Sequence, residues 1–441
     1  MERTLIEDLH GHVGKEVTVA GWVDVRRDHG KLVFIDLRDR SGTVQMVAHT
    51  STVPEAASLR SEWVIEVKGK VNKRPEKMVN KDIPTGDIEL EVLHMAVLSQ
   101  AHELPFEKDT EVNLDTLLDY RPLTLRSERV RDIFAVQATI MQAYRQSLIN
   151  QGFMEFQAPA LVGGDAEGGA AVFKVKYFND KTAFLATSPQ LYKEIMVGAY
   201  ERSFTIAKIF RAEKSATTRH LSELTQMDFE MGFIEDHRDV MAALEKTVRD
   251  SVREVVSKHP GVFTKFNTSA PAVEKAFPIL TLKEAHQIIE KEFGTATAGE
   301  QDMTPEHERQ ICEWALKEKG SDFVFITHFP TEVRAFYTYE HASEAPHSRG
   351  FDLLFRGLEI NSGSQRIHDY DEMVKRIKNR GMDPEKFSFY LQAFKYGMPP
   401  HGGCSTGLER FTMKMLDLPN VKEAVPFPRD MNRIDTLLSE Q

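Results

Sequence analysis

The chain has 441 residues, 41% hydrophobic and 28% charged, enough for more than one domain around at least one large buried core. A net charge of −11 excludes a protein that binds nucleic acid through its overall charge, though not one with a local basic surface. Two cysteines, Cys312 and Cys404, stand far apart with no CxxC or Cys/His spacing, so two free thiols are expected rather than a disulfide framework or a structural zinc site.

The chain opens Met1-Glu2-Arg3 and continues acidic. No apolar run reaches the length of a signal sequence or a spanning helix, which sets the expectation of a cytoplasmic protein with no membrane partner. From Val17 to about Val97, short β-rich segments alternate with turn signals: Val17 to Val23, Lys31 to Leu37, Thr43 to Val47, Trp63 to Gly69 and Ile88 to Val92. Five such strands with glycine-containing turns predict a small antiparallel barrel of the oligonucleotide-binding kind over 1–104. Pro- and Asp-containing sequence from Pro105 to Pro122 reads as a linker, taken as 105–126.

Past Arg126 the spacing turns helical from Val130 to Asn150 and breaks at Gly152. The remaining strands and helices mix with neither a short repeat nor a βαβ rhythm. Residues 127–441 are therefore expected to form an α+β domain on a mainly antiparallel sheet flanked by helices.

Three clusters in this second part carry chemistry. Phe210-Arg211-Ala212-Glu213, then Thr218-Arg219-His220-Leu221, then Met227-Asp228-Phe229-Glu230-Met231 would set cations over a polyphosphate and leave carboxylates for an amine or a metal. Any one Arg-Glu couple among them also reads as a surface ion pair. The run from Asp352 to Arg366 alternates as a strand, so Glu359 and Ser362 near its end offer oxygen ligands to a magnesium ion. His401 to Arg410 brings glycines that let backbone approach a ligand, then Arg410 at a helix start, fit for phosphates or an adenine face. Earlier, Thr187 to Lys193 leads into a helix, where Lys193 is either a solvated charge or a carboxylate receptor. The loop Gly163 to Ala170 is flexible by composition and suited to closing over a site.

Taken in order, these strings resemble the aspartyl-tRNA synthetases over nearly the whole chain, especially the compact form typical of archaea and eukaryotes. The resemblance implies an N-terminal anticodon-binding OB-fold followed by a class II catalytic domain. It makes Arg211, Glu213 and Arg410 the catalytic residues. ATP would be bound by Arg211, Glu213, Arg219, His220, Leu221, Glu359, Gly407 and Arg410, with magnesium on Glu359 and Ser362. Aspartate would be held by Glu167, Gln190, Lys193, Arg211, Asp228, Asp352, Ser362 and Arg366.

Lys193 and Arg366 converging on the side chain would favour a carboxylate over an amide. Asparagine-specific relatives lack a lysine at the place matching Lys193. In the barrel, Arg26, Phe34 and Gln45 fall where the family reads the anticodon, Phe34 by stacking on an unpaired base. The segment Val130 to Pro159 resembles the first class-defining motif, which implies a homodimer.

The implied reaction is attack of the aspartate α-carboxylate on the α-phosphate of ATP, then transfer of aspartate to the 3′ end of tRNA(Asp), with tRNA(Asn) left open as a second acceptor. Two positions depart from the pattern: Leu224 stands where an adenine-stacking aromatic is usual, and Ser405 where glycine is usual. The bacterial-type insertion between the second and third motifs has no room here. Rival readings are an asparagine-activating enzyme, a paralogue that makes an amide without tRNA, and a non-catalytic RNA-binding protein on the same fold.

Overall fold

The structure, a computed structural model, describes residues 2–81, 83–164, 171–214 and 217–434. It divides into two compact units, Met1–Thr110 and Glu111–Gln441.

In the first unit β1 (Glu16–His29), β2 (Leu32–Arg38), β3 (Thr43–His49), β4 (Val64–Lys73) and β5 (Ile88–Ser99) close into a barrel in the order β1-β2-β3-β5-β4. All neighbours run antiparallel except β3 and β5, whose parallel pairing completes the closure. Strict alternation drives the barrel: Val17, Val19 and Val23, then Val33, Ile35 and Leu37, then Val44, Met46 and Ala48 all point into one core.

The second unit begins with α1 (Leu114–Asp119) and α2 (Arg121–Thr124), then α3 (Glu128–Asn150). Ser127 caps α3 by accepting from the Val130 amide, and Gly152 ends the segment with a φ of +83°, a conformation that glycine adopts without strain. Val130, Ile133, Val136, Ile140, Tyr144 and Leu148 form the buried stripe of this helix.

β6 (Met154–Glu155) follows, and β7 (Leu161–Val162), β8 (Lys174–Lys176) and β9 (Thr182–Leu185) make a small separate sheet. Then come α4 (Gln190–Tyr200), β10 (Arg202–Phe210), β11 (Glu223–Gly232), α5 (His237–Lys258), α6 (Val262–Lys265), β12 (Ile279–Thr281), α7 (Leu282–Phe293), α8 (Pro305–Trp314) and β13 (Phe323–Thr327). The chain closes through β14 (Gly350–Phe355), β15 (Leu358–Gln365), α9 (Tyr370–Asn379), α10 (Ser388–Lys395), β16 (His401–Gly407) and α11 (Leu408–Met415).

Eight of these strands form one sheet in the order β12-β13-β14-β15-β16-β11-β10-β6, antiparallel except at its two edges. The expected architecture, a five-stranded barrel and an α+β domain on a mainly antiparallel sheet, is the one observed. Helices α3, α5 and α11 share the core beneath the central strands with Phe229, Phe351 and Phe355. Both cysteines are free and buried. Among the described residues, no helix is long and apolar enough to cross a membrane.

Candidate active site

A cavity of about 340 Å³ opens over the central strands. It brings together Gln190, Lys193, Arg211, Glu213, Arg219, His220, Leu221, Glu359, Ser362, Arg366, Gly407 and Arg410, residues that the sequence scatters over more than half of the chain. Asp228 and Asp352 stand one layer back, each bonded to a residue that lines the cavity. Glu167 lies outside the described residues.

One end of the cavity is cationic. Arg211 leaves β10 with its amide bonded to Ser222 O, and its guanidinium, 42% exposed, stands 3.9 Å from Glu213. Arg219 reaches from the following turn to Glu308 on α8 at 3.1 Å. His220, bonded to Thr217 through Nδ1, is pushed below the ordinary imidazole value by burial; Glu213 opposes that shift, and Arg410, Arg219 and Arg211 add to it. Three guanidiniums, each with a carboxylate neighbour, thus gather around one imidazole. Leu221 is buried there, and Leu224 packs partly buried against the core.

The other end is a buried charge cluster. Lys193 and Glu230 are wholly shielded from solvent, as is Asp228. Lys193 Nζ lies 2.9 Å from Asp228 and 3.5 Å from Glu230, and donates to Cys404 O at 3.1 Å. Arg366 donates to Glu230 at 2.8 Å, to Ser364 Oγ at 2.6 Å and to Gly403 O at 2.9 Å. Burial acts to lower the Lys193 pKa, but the charges of Asp228 and Glu230 outweigh it and hold the ammonium above its ordinary value.

A Cβ on Gly403 would sit 2.1 Å from the Glu230 carboxylate, so glycine is what allows that acid its place. Ser405, the residue in the glycine position of the family pattern, donates to Asp228 at 2.8 Å. The departure thus adds a hydrogen bond to the cluster.

Between the two ends lies a carboxylate shelf on β15. Arg410 donates to Glu359 O at 2.9 Å and stands 3.9 Å from the Glu359 carboxylate. Ser362 is the register partner of Asp352. Arg334 grips Asp352 through both nitrogens, at 3.0 and 2.6 Å, and also donates to Ser362 at 3.3 Å. Its guanidinium carbon lies 3.6 Å over the Phe329 ring, and its Nε is buried without a partner.

On the barrel, alternation puts Phe34 and Gln45 on the outer face, both half-buried. Arg27 is the register partner of Phe34, and its guanidinium forks onto Asp36, which faces Gln45 across the ladder. Arg26 pairs in register with the core residue Ile35 and gives its Nε to Ala56 O. The structure thus sets Phe34 and Gln45 beside each other and aligns them with Arg27, while Arg26 takes the other face.

Sequence reading named Glu230 within its acidic string without giving it a site role, and passed over Arg334, Glu308 and Glu194. Glu230 had a signal: Asp228 and Glu230 alternate on a strand buried from end to end, and buried acids need cations. Arg334, Glu308 and Glu194 stand alone in sequence, and only the fold brings Arg334 to the cavity wall and sets Glu308 and Glu194 behind Arg219 and Gln190, which line it.

Known proteins match both units. Residues 113–431 match the family described as tRNA synthetases class II (D, K and N), and residues 17–98 match an OB-fold nucleic acid binding domain. An aspartate–tRNA(Asp/Asn) ligase of Thermus thermophilus is 43% identical, covering 98% of this chain and 99% of its own. An aspartate–tRNA(Asp) ligase of Pyrococcus abyssi is 39% identical, covering 98% of each chain. Among solved structures, an asparaginyl-tRNA synthetase of Pyrococcus horikoshii complexed with asparaginyl-adenylate superposes with a TM-score of 0.90 at 31% identity, covering 98% of this chain and 99% of that one.

Proposed function

The chain belongs to the class II tRNA synthetases of the D, K and N group, and from that premise we propose that it is an aspartate–tRNA ligase, which activates L-aspartate with ATP and passes it to the 3′ end of tRNA(Asp). The observation that carries the choice of amino acid is the buried set of Lys193 and Arg366 against Asp228 and Glu230. An entering aspartate gives each group a new partner: its ammonium meets Asp228 and Gln190, and its side-chain carboxylate meets Lys193 and Arg366. Every buried charge then stays paired, whereas an asparagine amide leaves the freed cations short of an anion.

Arg211 holds the α-carboxylate of aspartate beside the α-phosphate, and Glu213 orients Arg211 from two residues beyond it in the same loop. Arg219, His220 and Leu221 form the wall against the nucleotide, with Gly407 and Arg410 closing the far side. The carboxylate oxygen attacks the α-phosphorus in line, the bond to pyrophosphate breaks, and the arginines carry the growing charge. The ribose hydroxyl at the tRNA terminus then attacks the aspartyl carbonyl and AMP leaves. No side chain need accept a proton for the first step, so catalysis is mainly positioning and charge.

Glu359 and Ser362 would supply oxygen donors for magnesium, and partial burial together with the charge of Asp352 pushes the Glu359 carboxyl above its ordinary value. Among the described residues no group of three or more His, Cys, Asp or Glu could hold a metal ion. Bound at Glu359 and Ser362, magnesium neutralises phosphate charge.

Residues 1–104 form the anticodon reader, with Phe34 stacking and Gln45 and Arg27, aligned on the same face, meeting base edges and backbone. The segment from Val130 to Pro159 is the surface for a second copy of the chain; Ile149 within it is 46% exposed.

ATP–pyrophosphate exchange tests the activation step. Exchange should depend on L-aspartate and not on L-asparagine; exchange with asparagine alone would sink the reading.

A further inference from the structure

Glu194 lies one helical turn beyond Gln190 on α4 and is wholly buried. A carboxylate so deep persists only if donors surround it. Gln190 Nε2 donates to it at 2.6 Å and the Tyr390 hydroxyl at 2.6 Å, while His401 Nε2 lies 3.3 Å away. Tyr390 comes from α10. His401 begins β16, the strand whose Cys404 and Ser405 bond to Lys193 and Asp228.

An ionised carboxylate only accepts hydrogen bonds, so Gln190 must turn its NH₂ toward Glu194. Its amide oxygen is then the atom left for the cavity that Gln190 lines. Were the amide free to turn, it would often present N–H to a substrate ammonium, donor against donor. We propose that Glu194 is a positioning residue that fixes the Gln190 amide with its oxygen toward the cavity, building an acceptor for the ammonium of the amino acid. The role rests on the aspartate-activating function proposed above. Burial opposes ionisation of Glu194; the His401 contact, the charge of Arg366 and the Gln190 bond outweigh it and hold the pKa below the ordinary carboxylate value.

Glu194→Gln keeps the shape but supplies a group that both donates and accepts, so the Gln190 amide is no longer fixed. The test measures KM and kcat for aspartate in pyrophosphate exchange, with competitive inhibition by succinate, which has both carboxylates and no ammonium. Glu194→Gln should raise the aspartate KM about tenfold, the scale of one charge-assisted hydrogen bond. The kcat and the succinate Ki should stay within about twofold, as only the ammonium contact is affected. Tyr390→Phe, which removes one donor to Glu194, should shift the same constant in the same direction by a smaller factor, and it decides the matter if the first variant does not fold.

An unchanged aspartate KM in these variants, or an aspartate KM and a succinate Ki that rise together, would overturn the role. Should the parent enzyme fail to exchange with aspartate, the proposed function falls instead.

Discussion

Lys193 and Asp228 meet at 2.9 Å with both side chains closed to solvent, and Glu230 completes the contact from the next inward position of the same strand. Removing one member of such a set leaves uncompensated charge in the interior. Lys193→Met should therefore destabilise the protein by about 3–5 kcal/mol, read from urea unfolding, with part of the loss restored by adding Asp228→Asn. A variant as stable as the parent would mean that the cluster is not ionised as described.

Arg334 holds Asp352 with two parallel bonds and reaches Ser362 beside it. Arg334→Met should lower aspartate-dependent exchange at least about tenfold, since Asp352 loses its counter-ion beside the Glu359 and Ser362 shelf of the proposed ATP site. Arg334→Lys should recover only part of the rate, because one ammonium does not reproduce a two-pronged grip. Steady-state exchange kinetics on both variants give the answer.

Glu308 reaches across from α8 to Arg219. Without that carboxylate the arginine is no longer aimed along the nucleotide wall. Burial pushes the Glu308 carboxyl up to about 7, so on the alkaline side of that value, where it is ionised, the KM for ATP in Glu308→Gln should rise by about three- to tenfold with the aspartate KM little changed, the scale expected of one charge-assisted hydrogen bond. Equal changes in both constants would point to general damage.

His237, the first residue of α5, is held well below the ordinary imidazole value, at about 4, chiefly by burial. Its folded-state pKa is depressed, so the stability it contributes is complete above pH 6.5 and is lost as pH falls through 4. A shift of that size is worth about 3 kcal/mol. His237→Phe should flatten the acid limb of the stability curve over this window, visible in urea midpoints from pH 7 down to pH 4; an unchanged limb would place the acid sensitivity elsewhere.

How much of this was legible in the sequence depends on range. The barrel strands are visible because inward Val, Ile and Leu residues alternate over each of them. The helix is visible over Val130 to Asn150, two residues short of its start at Glu128, through its apolar stripe and the break at Gly152. At the site, Arg211, Arg219 and Arg410 are recognisable because each sits in a dense local string. Arg334 has no such string: its significance comes from β14 and β15 pairing Asp352 with Ser362 in front of it, a contact that spacing alone does not encode. Glu194 is hidden for a different reason. On a helix it reads as a solvent-facing acid, and only the packing of α10 and β16 closes over it.

The central claim is tested most directly by charging purified tRNA(Asp) and tRNA(Asn) transcripts with labelled aspartate in the presence of ATP and magnesium. Aspartate should appear on tRNA(Asp), and the tRNA(Asn) lane of the same experiment reads whether the acceptor range is narrow or broad. No aspartate on either transcript, while control enzymes charge both, would contradict the account.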